Sequence, residues 1–303
     1  MIGYHVFYQK TEEINFVEIS SQFASILFWK KYFGPMRLYC NSKFLKTISF
    51  YKLDTLYDEI NIDVLDNMPY NKKTLEKYWS VAKIYAANDI SKKEPTYCIL
   101  DTDLWIINKI NWDISNDFVG FHFETFNLDD KNNPYLEPSY FINDYVPNEW
   151  DVLPINCAFM YINNKQLIFD WFEYINNVIL LNKKSLINKK RKKDAHTLFI
   201  EQRVITYLCK KLNLKYTSLI NNKYHSGSGL TLNNISVWNP ELDFTLEPHK
   251  FIKHIWGLKR FYSVLNKKIL TEIYDDIHNE FGFLEMEFEQ LYKERLKIYY
   301  IEY

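Results

Sequence analysis

The sequence predicts an α/β protein with a mostly parallel sheet flanked by helices and a helical carboxyl-terminal extension. Short apolar runs alternate with stretches of helical spacing through the first half of the chain, which is the pattern of parallel strands joined by crossover helices. The residues after Trp256-Gly257 keep helical spacing to the end. A chain of 303 residues, 47% hydrophobic and 18% aromatic, has enough apolar surface for a sizeable core, which excludes disorder as a global description. With no internal repeat and no linker rich in Pro, Gly or Ser, the economical division is one domain over residues 1–262 and a helical extension, 263–303, packed on or beside it.

Taken in order, Gly3 to Tyr8 reads as a first strand. Ser20 or Ser21 is expected to cap a helix carrying Phe23, Ile26 and Leu27, which Gly34-Pro35 stops before a strand from Met36 to Cys40. Ile60, Ile62 and Val64 alternate as another strand would. From Asn71 the apolar positions Leu75, Tyr78, Trp79, Ala82, Tyr85 and Ala86 follow helical spacing, with an end expected before Lys92-Lys93-Glu94-Pro95. Thr96 to Leu100 has the composition of a buried strand and stops at Asp101-Thr102-Asp103. Further on, Cys157 to Ile162 reads as a strand, Leu167 to Leu181 as a helix and Asp194 to Leu212 as another, with Phe199, Val204, Tyr207 and Leu208 inward. Lys215 to Leu219 reads as a short strand. In the extension, Ile269, Ile273 and Ile277, then Phe288, Leu291 and Leu296, mark the apolar side of helices.

Lys and Arg number 37 against 38 Asp and Glu, a net charge of −1, so a partner held mainly by charge, duplex nucleic acid above all, is not expected. Cys40, Cys98, Cys157 and Cys209 stand far apart without Cys-x-x-Cys spacing, which argues against a zinc knuckle or a disulfide framework and fits a reducing compartment. The first ten residues lack the features of a signal peptide, and no later run reaches the length of a membrane span, so the reading is a cytoplasmic protein. The densest charge cluster, Lys183 to Lys193, reads first as a solvated loop, with a phosphorylated acceptor or the inner membrane face as the functional alternative.

Asp101-Thr102-Asp103 is the only Asp-x-Asp in the chain, and it follows an apolar strand directly, where parallel sheets place ligand sites. Two carboxylates leaving a strand end can hold a hard divalent cation, and the cation can neutralise the diphosphate of a nucleotide. Alone, such a pair is also a common solvated turn. A second element, Phe251 to Lys259, has His254 near a strand end, Gly257 where backbone must approach closely, and Lys259 two residues on. A neutral imidazole can join two carboxylates around Mn²⁺ or Mg²⁺, and the lysine can meet phosphate oxygens as a point charge.

In this order of elements the sequence resembles the GT-A glycosyltransferases, particularly the family 8-like bacterial enzymes that transfer sugars from nucleotide-sugar donors. The resemblance runs from about Gly3 to Lys259. It implies a GT-A, Rossmann-like catalytic domain with Asp101, Asp103 and His254 as metal ligands. Thr102, Gly257 and Lys259 would lie against the donor diphosphate. The chain reads His-x-x-Gly-x-Lys, one residue shorter than the family segment, with Arg260-Phe261 in place of Pro-Trp.

Two further segments are similar to family features. Asn156, in Pro154 to Asn163, matches an Asn near the transferred sugar, although the segment also reads as a polar turn before a buried strand. Glu201-Gln202 matches an Asp-Gln pair below the sugar, where a helical Glu-Gln is otherwise an ordinary surface pair. The helix around Tyr78 to Lys83 resembles the one preceding the family's Asp-x-Asp strand, so Lys83 is a candidate for facing the donor; equally, it could bury its stem and leave its ammonium in water. Phe7 and Tyr8, ending the first strand, are candidates for stacking on the base.

The resemblance thus implies a metal-dependent transfer from a nucleoside-diphosphate sugar, UDP-sugar first, to a glycan or lipid-linked acceptor in surface polysaccharide synthesis. Retention is favoured, with Glu201 and Gln202 near the reacting face. A non-catalytic carbohydrate-binding or degenerate transferase-like protein is the alternative, since 24 Tyr, 22 Phe and 8 Trp can stack on sugars as well as fill a core. A haloacid dehalogenase-type phosphatase, which would use the first Asp as nucleophile, is disfavoured by Trp105 and by the distance of the motif from the amino terminus. Donor sugar, acceptor and oligomeric state are not legible.

Overall fold

The computed structural model describes residues 1–10, 14, 16–71, 74–75, 78, 80–124, 152–182, 199–224, 252–255 and 263–282. The first strand, β1 (Gly3–Phe7), leads to helix α1 (Phe16–Tyr32). Gly34 turns the chain out of α1 with φ +127°, a conformation that L side chains rarely adopt. Strand β2 (Met36–Cys40) follows, and Asn41 caps α2 (Ser42–Phe50) by accepting from the Phe44 amide at 3.3 Å. Next come β3 (Glu59–Asn61), the single turn α3 (Asp63–Asp66), α4 (Val81–Lys93) and β4 (Tyr97–Leu100). Two strands near the middle, β5 (Leu104–Ile106) and β6 (Phe118–Glu124), are followed by β7 (Phe159–Ile162) and α5 (Lys165–Asn182). A π-helical turn, Phe199–Arg203, opens α6 (Val204–Lys211); β8 (Tyr216–Tyr224), β9 (Ile252–His254) and α7 (Ser263–Phe281) complete the order.

Seven strands form the central sheet in the order β3-β2-β1-β4-β7-β6-β8, and only β7 runs against its neighbours. Strands β5 and β9 pair antiparallel as a separate ribbon. The sheet is buried on both faces, so its strands alternate between two cores. Leu38, Cys98, Leu100, Phe159 and Tyr161 face α1, the ribbon and α7, whereas Tyr39, Tyr97, Ile99, Met160 and Ile162 face α4, α5 and α6. This is an α/β architecture with a mostly parallel sheet flanked by helices, compatible with a Rossmann-like fold. Helix α7 adds Ile269, Leu270, Ile273 and Ile277 to the core it shares with α1. Burial of each such side chain stabilises by about 1.5–3 kcal/mol. No helix among the described residues is long and apolar enough to cross a membrane.

Local expectations needed correction where the chain folds against its own periodicity. Ser20 and Ser21 do not cap α1, which begins at Phe16; they lie inside it, and their hydroxyls donate back to the Phe16 and Glu18 carbonyls at 2.9 and 3.0 Å. Val64 does not continue β3: it sits in α3, where its amide donates to the Asn61 side chain at 3.2 Å. The helical spacing from Asn71 runs across a turn at Ser80, and α4 begins only at Val81 and extends through Lys93. Strand β8 continues five residues past Leu219, paired with β6. The Lys183 to Lys193 cluster, Trp79, Phe288, Leu291 and Leu296 lie outside the described residues.

Candidate metal centre

Strand order reverses beside β1: β2 and β3 extend on one side, and the chain then crosses over α4 to place β4 on the other. Open α/β sheets bind ligands outside the carboxyl ends of strands at such a switch point. Asp101 stands at the end of β4, its amide bonded to the Ala158 carbonyl at 2.8 Å and its own carbonyl accepting from the Leu104 amide at 3.1 Å. That tight turn buries Thr102 and Asp103 and starts β5.

The ribbon brings His254 to the same place. Leu104 lies opposite His254, and the Ile255 amide continues the pairing by donating to the Asp103 carbonyl at 3.1 Å. The His254 Nε2 and Asp103 Oδ1 atoms are 3.5 Å apart, and the imidazole packs edge-on against the Phe121 ring of β6. One donor atom each from Asp101, Asp103 and His254 lies within 4.8 Å of the other two. Ligands on opposite sides of an ion with bonds of ~2.1 Å are ~4.2 Å apart, so small side-chain adjustments close this set around one cation. Two carboxylates and one imidazole suit Mn²⁺ or Mg²⁺. The His254 Nδ1 is buried with no hydrogen-bond partner among the described residues, and Nε2 is the nitrogen beside the Asp103 carboxylate. The buried cluster could bind a metal ion.

Lys83, from α4, sits behind this cluster. Its ammonium meets Asp101 Oδ1 at 2.7 Å, the Cys157 carbonyl at 3.0 Å and the carboxylate of Glu201. An ammonium has three donors, and all three have acceptors here. The ammonium is therefore turned into the protein and not into water. The Lys83 side chain is 5% exposed and that of Glu201 3%, against 30% for Asp101, so only Asp101 opens to solvent. Burial alone would push the Lys83 pKa down, but Asp101 and Glu201 hold it above its ordinary value. Burial raises the pKa of Glu201, against the pull of Lys83.

Glu201 and Gln202 belong to the π-helical turn, a rare conformation that recurs at functional sites. Both are buried and so are not a surface pair. Gln202 accepts from the Ile155 amide at 3.1 Å through its carbonyl, while its side-chain Oε1 is buried without a partner among the described residues. Asn156 is anchored to β6: its amide donates to the His122 carbonyl, its carbonyl accepts from the Phe121 amide, both at 2.8 Å, and its Oδ1 accepts from the Ala158 amide at 2.9 Å. Phe7 stacks on Phe44, with ring centroids 4.2 Å apart, so one face of its ring is already covered. Tyr8 is half-buried beyond it, its hydroxyl pKa raised by burial and by Asp66. Gly257 and Lys259 lie outside the described residues.

The structure thus unites Asp101, Thr102, Asp103 and His254 at one strand end and joins Lys83 and Glu201 to them. Sequence reasoning had no means of pairing Lys83 with Glu201; the one available signal was a lysine interrupting an apolar helix face. No protein-family model matches the chain, and no curated protein is significantly similar to it.

Proposed function

We propose that this chain is a metal-dependent glycosyltransferase of GT-A type, moving a sugar from a nucleoside-diphosphate sugar, UDP-sugar in the first instance, to a glycan or lipid-linked acceptor. The observation that carries the reading is the convergence of Asp101, Asp103 and His254 at the carboxyl end of β4, beside the switch point of the sheet. A divalent cation bound there would neutralise charge gathering on the departing diphosphate. Asp101 and Asp103 supply the fixed negative charge that holds such a cation, and Asp101 also keeps one edge of the site open to solvent. Glu201 supports the reading only through its pairing with Lys83, which also meets Asp101; that Glu201 and Gln202 lie beneath the donor sugar is part of the proposal. In this reading the protein works in the cytoplasm, with peripheral contact at the inner membrane face when the acceptor is lipid-linked.

Calorimetric titration with UDP, GDP and CDP, with and without Mn²⁺, tests the reading. The expected result is metal-dependent binding of one nucleotide that is lost in Asp103→Ala and His254→Ala. Absence of binding under every condition would overturn it and leave a non-catalytic carbohydrate-binding protein as the better account.

A further inference from the structure

The metal cluster depends on a two-stranded ribbon, one end of which carries both Asp103, just before β5, and His254, the last residue of β9, and two strands alone make a marginal structure. Opposed residues of an antiparallel pair share a face, and successive residues alternate. Trp105 and Lys253 are opposed and therefore project from the face opposite to that of His254. Both end on Asp276 of α7: the Trp105 indole N–H donates to Asp276 Oδ2 at 3.0 Å, and the Lys253 ammonium meets Oδ1 at 2.7 Å. One carboxylate thus spans the two strands, one oxygen to each. Glu272, one turn earlier on α7, also meets Lys253, at 2.9 Å. Helix α7 is in turn fixed by its buried isoleucines against the α1 side of the core.

We propose that Asp276 is a positioning residue for the metal centre: it clamps β5 to β9 from behind and so sets the spacing of Asp103 and His254 without touching either. The proposal rests on reading Asp101, Asp103 and His254 as metal ligands. It gives the carboxyl-terminal helix a part in the site beyond core packing. Partners that orient metal ligands from outside typically change affinity by about 10–100-fold when removed, and Asp276 acts one layer further out.

The test compares Mn²⁺ affinity, read from the free-ion spin-resonance signal, and the Co²⁺ d–d absorption spectrum in the full-length chain and its variants, with circular dichroism and melting as the check on folding. Asp276→Ala is expected to weaken Mn²⁺ binding about tenfold and to shift the Co²⁺ bands. Asp276→Asn, which still accepts from Trp105, should restore part of the affinity, and Glu272→Gln should bind as the wild type does. If Asp276→Ala does not fold, Trp105→Phe removes one clamp bond while keeping an aromatic ring in the core and is expected to shift the Co²⁺ bands in the same direction. A folded Asp276→Ala with wild-type affinity and spectrum overturns the proposal while leaving the metal centre standing. Failure of the wild type to bind Mn²⁺ or Co²⁺ removes the metal centre and the clamp together.

Discussion

The Lys83 ammonium lies 2.7 Å from Asp101 Oδ1 and shares its remaining protons between Glu201 and the Cys157 carbonyl. It bridges the candidate metal ligands and the buried carboxylate of the π-helical turn. Removing one member of a buried ion pair costs about 3–5 kcal/mol because the other charge is left without compensation. Lys83→Met is expected to lose stability on that scale in urea unfolding. Adding Glu201→Gln should return more than half of the loss, and adding Asp101→Asn should return less, because Asp101 can rehydrate. Equal recovery by the two in a double-mutant cycle would show that burial does not distinguish them.

Metal binding should appear as stability. Saturation at about 100 times the dissociation constant adds about 2.7 kcal/mol when only the folded state binds. Mn²⁺ is therefore expected to raise the melting temperature of the wild type and to leave Asp103→Ala and His254→Ala unmoved. A shift retained in both variants would place the ion elsewhere.

His5 lies fully buried on β1, its ring nitrogens 2.7 Å from the Tyr57 hydroxyl and 2.9 Å from the Ser25 hydroxyl. Burial lowers its pKa to about 3, which the negative charge of Asp103 opposes without offsetting. A depressed histidine contributes no destabilisation above its unfolded pKa. As pH falls through that value the unfolded chain takes up a proton that the folded chain refuses, so stability declines from about pH 6.5 toward pH 3. The expected loss from this residue between pH 7 and pH 5 is about 2 kcal/mol. Guanidinium unfolding at the two pH values measures it, and His5→Gln should flatten the dependence by a similar amount.

Gly3 is the close approach between β1 and α1. A Cβ there would stand 2.4 Å from the indole Nε1 and Cε2 of Trp29, a fully buried ring whose N–H donates to the Pro35 carbonyl at 3.2 Å. Overpacking of this kind costs about 1–3 kcal/mol. Gly3→Ala should melt several degrees below the wild type, and an unchanged melting temperature would mean that α1 can move outward freely.

Several elements were legible because their signal is local. Thr96 to Leu100 has the composition of a strand buried on both faces, and β4 occupies Tyr97–Leu100. The polar Asp101-Thr102-Asp103 that ends it stands at the strand end, as position alone suggested. The His254 segment forms a strand for similar reasons, and Leu167 to Leu181 falls within α5. Ser20 and Ser21 misled because a hydroxyl serves a helix start and a helix interior alike, bonding forward to free amides in one case and back to carbonyls in the other. Strand β5 is three residues long and gives no periodic signal, whereas in β6 Val119, Phe121 and Phe123 alternate with Gly120, His122 and Glu124, a local strand signal absent from the expected elements.

By itself the sequence determined much of the order of strands and helices, though not α2, α3, β5 or β6, together with the balance of charge and the two segments from which the Asp-Asp-His set is drawn, since these depend on composition and spacing within a few residues. Only the tertiary structure decided which of them meet. Lys83 and Glu201 are separated by 118 positions, and Trp105 and Asp276 by 171. Contacts across such distances follow from which helix face packs on which sheet face and from where the strand order reverses, and no local pattern of residues records either.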